Sequence, residues 1–380
     1  MNILRSLLAL VLFCNIGGVI RASSATIKVL MEESSRSDSA SWTLTCQQGF
    51  SLVDPVVSSQ KMVTQSSELT IALQDNHLML NGNKLKKHDV IIEPGQGHIS
   101  FNGRQYAGAF RCILTDKRLY LINMLPLEEY VCAVLKAESW PGWPLEVNKA
   151  FATMARSYAV HTAQQSVKMK LPYHIKKTKA HQTYFGVHDN DVLVQAVEET
   201  KGQLLTYQDE PVLAMFDSCC GGVVPAHTKE QVNFEKAPYL ARNYRCDFCK
   251  KTRIYQWQKQ FDMDQLEEFI KKQIALPGSL KDISIVKRDK AGLVTRIQLK
   301  TTKKTITISG KQLYFSSDDI KSFCFSLEKK GNKIRFAGKG QGHHIGACQW
   351  GARTMVDLGW KYHEILYFYY PGTSLVTMQT

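Results

Sequence analysis

The stretch PLEEYVCAVLKAESWPGWPLEVNKAFATMARSYAVHTAQQS, residues 126–166, decides how the rest of this sequence is read. Leu127, Tyr130, Val131, Val134, Leu135 and Glu138 fall at i, i+3, i+4, i+7, i+8 and i+11, one face of an α-helix opened by Pro126. Glu138 therefore closes an otherwise apolar stripe. Glu128 and Glu129 lie at the start of the helix, where its dipole favours negative charge and no functional reason is needed. A carboxyl at the end of a buried stripe is desolvated, which favours its protonated form and suits a general acid. A helix that ends at Glu138 with its side chain turned to solvent is the alternative, and periodicity does not choose between them. Ser139 to Pro144 breaks the helix and a second one follows. Val147, Phe151, Met154 and Tyr158 form its large apolar stripe, Ala152, Ala155 and Ala159 a small-residue face, and Arg156 borders that face. Trp140 and Trp143, taken alone, read as hinge packing in preference to a sugar platform.

Outward from this helical pair the period changes. Ile27–Met31, Leu69–Leu73, His77–Leu80, Val90–Ile92, Arg111–Leu114 and Leu119–Ile122 are short apolar or alternating runs, separated by turn pairs such as Asn81-Gly82 and Asn102-Gly103, which predicts an all-β N-terminal module. Residues 192–216 read as strands again, 266–274 as a short helix, and 281–308 as a hairpin around Ala291-Gly292. No repeat of fixed period and no low-complexity tract is present.

The chain has 380 residues, 44% hydrophobic and 22% charged, enough to bury a sizeable core and unlike a disordered chain, a fibrous repeat or a small disulfide-stapled toxin. Its length predicts two or three domains. A net charge of +14 points to an anionic partner. Arg5, the apolar run Leu7–Ile16 and the small residues Ala22 to Ala25 have the layout of a cleavable secretory signal. The run ends at Gly17-Gly18, short of the ~20 residues a membrane span needs, so no transmembrane anchor is expected after cleavage. Export to an extracytoplasmic compartment argues against nucleic acid as the partner and leaves acidic envelope polymers to account for the charge.

Ten cysteines become nine after cleavage, so at least one is free, metal-bound or paired between chains. Cys46, Cys112, Cys132, Cys324 and Cys348 sit singly and read as small buried hydrophobes. Cys219-Cys220 and Cys246-Asp-Phe-Cys249 have the spacing of two knuckles that close on one tetrahedral ion, and a disulfide among them is the alternative in an oxidising compartment.

Several ordered motifs then resemble the SpoIID/LytB family, the stage II sporulation protein D and amidase-enhancer group. Leu127 to Val131 through Glu138, Trp143-Pro144, Lys149-Ala150 and Ala155 to Ala159 match its central motif. Gly103 to Gly108 and Leu121 to Asn123 resemble its lead-in, and Asp217-Ser218-Cys219-Cys220-Gly221-Gly222 its His-Ser-Thr-Cys-Gly-Gly element. Gly340 to Ala352 resembles its Gly-Trp-Gly-His-Gly-Val-Gly-Met-Ser-Gln-Tyr-Gly-Ala, and Tyr369 to Thr373 follows as in the family. The resemblance implies an envelope protein acting on peptidoglycan glycan strands. Glu138 would be the catalytic acid of a lytic transglycosylase, an enzyme that leaves 1,6-anhydro ends on strands stripped of stem peptides. It also implies substrate contacts for Arg156, Tyr158, Gln182, Tyr184, His343 and Gln349, and a zinc site at Cys220, Cys246 and Cys249. Asp217, which replaces the motif histidine, Cys219 or His227 would complete that zinc site. His344 stands where the motif has glycine. Asp217 or Glu146 acting as a second carboxylate would give hydrolysis instead.

The expected fold class is α+β. A signal peptide (1–25) precedes a β-rich module (26–125) and a catalytic core with the helical pair and first cysteine motif (126–240). An inserted β/α subdomain with the CxxC (241–335) and a C-terminal Gly/His motif that completes the cleft (336–380) follow. A strand-cleaving enzyme and a non-catalytic, glycan-binding activator of a cell-wall amidase are the two functions carried forward.

Overall fold

The computed structural model describes residues 26–35, 39–55, 61–116, 118–178, 181–229 and 232–378. The expected signal segment lies outside the described residues. The chain is α+β, with two larger sheets, antiparallel apart from the parallel pairing of 175–176 with 26–35, four small ones and seven α-helices among the described residues.

The expected N-terminal strands form. A seven-stranded sheet is built around strands 26–35, 109–114 and 118–126, and a six-stranded sheet around strands 41–45, 68–74 and 77–80. Asn81-Gly82 and Asn102-Gly103 both take positive φ at each residue, 46° and 75° in the first and 48° and 73° in the second. That is the mirror-image turn that matches strand twist, and it closes the pairs Leu80↔Asn83 and Phe101↔Arg104.

Strand 118–126 runs directly into α1 (Leu127–Glu138), and α2 (Leu145–Lys168) packs on it. The predicted stripe is the buried one: Leu127, Tyr130, Val131, Val134 and Leu135 are all at most 4% exposed. Val29, Phe50 and Phe110 of the sheets share one core with Val131, Val147 and Met154 of the helices.

Residues 192–216, expected as strands, begin instead with α3 (Asp191–Glu199), followed by a strand at 203–207. Asn190 caps the helix through its side chain onto Leu193 N–H, and Leu193, Ala196 and Val197 bury one face. The short helix expected at 266–274 is α4 (Met263–Lys271), started three residues earlier by a capping box of Asp262 and Gln265. With α5 (Gly310–Ser316), the hairpin 280–288/294–301 and strands 256–262 and 333–339, α4 surrounds a second core centred on Leu266, Ile297 and Phe336. α6 (Gln349–Asp357) and α7 (Tyr362–Tyr369) return to the first core.

His174 ties the end of α2 to the first strand. Its Nδ1 accepts from Lys28 N–H at 3.3 Å, and Ser166 Oγ donates to its carbonyl at 2.8 Å. Burial, helped by Lys28, lowers its pKa to about 4. The unfolded chain therefore binds this proton between about pH 6.5 and 4 while the folded one does not. The stabilising contribution is complete above pH 6.5 and falls as pH drops to 4, by on the order of 2 to 3 kcal/mol. Denaturant unfolding at pH 7 and pH 4.5 should show this slope, and His174→Gln should flatten it.

Candidate active site

Glu138 ends α1 half-buried, neither sealed in a dry recess nor turned free into solvent. Its Oε1 accepts from Thr183 N–H at 2.9 Å, which fixes the carboxyl, and Oε2 has no hydrogen-bond partner among the described residues. Gln349, first residue of α6, donates Nε2 to the Glu138 carbonyl at 3.1 Å, so the C-terminal motif is locked to the end of α1 across 211 residues of sequence. Ser139 Oγ donates to Asn148 Oδ1 at 2.5 Å, and Asn148 Nδ2 donates to the carbonyls of Trp143 and Pro144, holding the break between the helices.

That break carries an aromatic cluster. Trp140 stacks on Trp143 at 6.3 Å, and Trp350 meets both edge-on at 5.7 and 5.3 Å. Trp143 is buried, as hinge packing requires. Trp140 and Trp350 stay half-buried beside Glu138, and Arg253 lies over the Trp140 ring. The cluster thus packs and also presents aromatic surface.

Three of the expected substrate contacts are spent inside the protein. Arg156 is wholly buried: Nε and Nη2 form a fork on Glu128 at 2.9 and 2.5 Å, and Nη1 donates to Gln203 O at 2.9 Å. Glu128 also accepts from Gly202 N–H, so the carboxylate that dipole arguments left without a role anchors α1 to α2 and to strand 203–207. Arg156→Ala would strand this carboxylate and is expected to cost about 3–5 kcal/mol, read from the shift in urea midpoint. Gln182 and Tyr184 are 1% exposed; Gln182 accepts from Tyr130 OH at 2.9 Å, and Tyr184 OH donates to Asn123 Oδ1 at 2.6 Å.

The other candidates are less deeply placed or fixed by the loop. Tyr158 is half-buried against the edge of His181, and burial raises its pKa. His343 is half-buried, accepts from Ile345 N–H at 3.1 Å on Nδ1, and is held neutral by burial and the neighbouring His344, its pKa lowered to about 4. His344 takes φ +66°, the left-handed conformation for which the family motif supplies glycine. Its N–H on Asp217 Oδ2 at 2.7 Å and its Nδ1 on Cys220 O at 2.9 Å hold it there.

Neither expected second carboxylate is at liberty. Glu146 accepts from Tyr362 N–H and Lys149. Asp217 is 5% exposed, and burial, against the His344 N–H, pushes its carboxyl well above the usual range.

The set of residues that could hold a metal differs from the expected one in its fourth member. The Sγ atoms of Cys220, Cys246, Cys249 and Cys348 all lie within 4.8 Å of one another. The parallel pairing of Phe216-Asp217 with Ala347-Cys348 brings Cys348 to the knuckles, while Asp217 turns to His344 and neither Cys219 nor His227 belongs to the set. Cys220 and Cys249 Sγ are 3.7 Å apart, far beyond the ~2.05 Å of a disulfide. A tetrahedral ion with sulfur at ~2.3 Å needs about 3.8 Å between ligands. The surroundings also fit thiolates. Cys348 Sγ accepts N–H from Cys220 and Gly351, both at 3.3 Å, and Tyr369 OH lies 3.2 Å from Cys246 Sγ. The Cys220 and Cys249 thiols beside it push Cys246 down toward thiolate.

Comparison with known proteins gives a family model described as Stage II sporulation protein (SpoIID), which matches residues 115–207, and a domain of unknown function (DUF8618), which matches residues 193–346. An uncharacterized protein of Brachyspira hyodysenteriae is 30% identical over 83% of this chain and 84% of its own length. Stage II sporulation protein D of Bacillus subtilis is 27% identical over 67% of the chain and 75% of its own. The amidase enhancer of Bacillus subtilis is 25% identical over 73% of the chain, a match that spans 45% of that relative.

Proposed function

The chain belongs to the SpoIID/LytB family, and from that premise we propose that it is exported to the cell envelope and cleaves peptidoglycan glycan strands as a lytic transglycosylase. The observation that carries this reading is Glu138. It is one carboxylate fixed by a main-chain N–H, with its second oxygen unpartnered among the described residues and partly exposed tryptophans on the segments that follow it and Gln349, while Glu128, Glu146 and Asp217 are committed to other partners.

Protonated Glu138 gives its proton to the glycosidic oxygen as the bond from C1 of N-acetylmuramic acid breaks. The resulting carboxylate then takes the proton of the C6 hydroxyl as that oxygen bonds to C1, closing the 1,6-anhydro ring and regenerating the acid. A single carboxyl suffices, unlike the pair used by most glycosidases. Trp140 and Trp350 offer partly exposed aromatic surface to the apolar sides of the sugars, and the basic chain suits a strand whose lactyl carboxylates are free. Zinc is the ion that the four cysteines fit, and when bound it would supply a structural cross-link of the 216–220 and 246–249 segments to the C-terminal motif.

A second reading is supported by the similarity to an amidase enhancer: a strand-binding activator of a separate amidase, without turnover. Purified protein incubated with peptide-free strands separates the two. Mass spectrometry should detect new anhydro ends, and their absence would leave the activator.

A further inference from the structure

Residues 181–187 form an irregular stretch in which burial alternates. Gln182, Tyr184 and Gly186 face inward, His181 and Thr183 are half-buried, and Phe185 and Val187 are exposed. Gly186, at φ +83°, lies so close to the edge strand 104–106 that a Cβ there would sit 2.1 Å from the Gln105 carbonyl. Val187 N–H donates to that same carbonyl at 2.9 Å. This approach sets Phe185 under Arg104, whose guanidinium carbon is 4.0 Å from the ring centroid. Arg104 is exposed and makes no ion pair among the described residues. Phe185 is two residues from Thr183, at most about 7 Å of chain. The ring that carries this unpaired cation thus stands two residues along the chain from the Thr183 N–H that holds Glu138.

We infer that the stacked Arg104–Phe185 pair is a carboxylate subsite flanking Glu138. It takes the free lactyl carboxylate of a muramic acid residue that has lost its stem peptide, with the rim of Phe185 against the sugar. This rests on the strand-cleaving reading above. Arginine presents parallel N–H donors that match a carboxylate, and stacking pre-orients them. A stem peptide turns the same carboxyl into a neutral amide and adds bulk, so the pair selects stripped strands.

The test uses the Glu138→Gln protein, in which strands stay intact, and measures binding to peptide-free strands and to the same strands with their lactyl carboxyls converted to carboxamides. The parent should prefer the carboxylate strand by about tenfold. Arg104→Gln should abolish the preference, Arg104→Lys should keep part of it, and Phe185→Ala should weaken both strands. Full preference in Arg104→Gln, or none in the parent, overturns the subsite. Wild-type product analysis run alongside keeps the two claims apart. Anhydro ends with an unaltered Arg104→Gln preference sink the subsite alone, whereas an Arg104-dependent preference without anhydro ends keeps the subsite and sinks the cleavage reading.

Discussion

Glu138→Gln is expected to lower the rate of anhydro-end formation by about 10² to 10⁴, the range over which a positioned acid–base group acts. The amide keeps the shape and still accepts from Thr183 N–H, so the thermal midpoint and strand binding should be nearly unchanged. A kinetic loss with intact binding distinguishes removal of the acid from damage to the cleft. Asp217→Asn and Glu146→Gln are the comparison. Each disturbs a buried or hydrogen-bonded carboxyl that serves the fold, so stability should suffer while the residual folded protein keeps its rate per molecule.

The second large effect concerns the four cysteines. Elemental analysis should find about one zinc per chain, and Cys348→Ser should lose it together with structure. Structural zinc binds with an apparent free energy of roughly 10–16 kcal/mol. Its loss is therefore expected to lower the thermal midpoint by on the order of 10 °C. A strong chelator should reproduce the drop in the wild type and leave Cys348→Ser unmoved. Cys219→Ser should retain the ion, because Cys219 stands outside the set whose sulfurs converge. Metal-free protein with an unchanged midpoint would contradict this assignment.

Much of the scaffold around Glu138 was legible because its signals are local. The stripe from Leu127 to Leu135 has helical period, and Pro126 and Pro144 precede the two helices. The two Asn-Gly pairs demand positive φ and so announce hairpins. The α3 segment misled because Val192, Leu193, Val194 and Val197 are dense in strand-favouring residues; Asn190 and the Leu193/Ala196/Val197 spacing were the better signal.

Phase was the second obstacle. In 181–187 the sequence places polar and aromatic residues on both sides, and a shift of one exchanges every inward side chain for an outward one. Gln182 and Tyr184 proved buried, His181 and Thr183 half-buried and Phe185 exposed. Cys348 was illegible for a different reason. No partner cysteine stands near it in sequence: Cys249, Cys246 and Cys220 lie 99, 102 and 128 residues before it, across a two-residue parallel bridge. The one available hint was that cysteine occupies the place of serine in the motif it resembles. Arg156 shows the converse: a motif arginine, suited to a substrate, completes a buried ion pair with Glu128.

The central claim is that one carboxyl, passing a proton out and taking another back, ends the reaction on the sugar's own C6 oxygen instead of on water. Digestion of peptide-free strands in heavy-oxygen water, followed by mass spectrometry of the new ends, tests it most directly. The account predicts anhydro-muramoyl ends that carry no heavy oxygen and disappear with Glu138→Gln. New reducing ends carrying the label would contradict it, since they require water as the nucleophile and a second group to activate it.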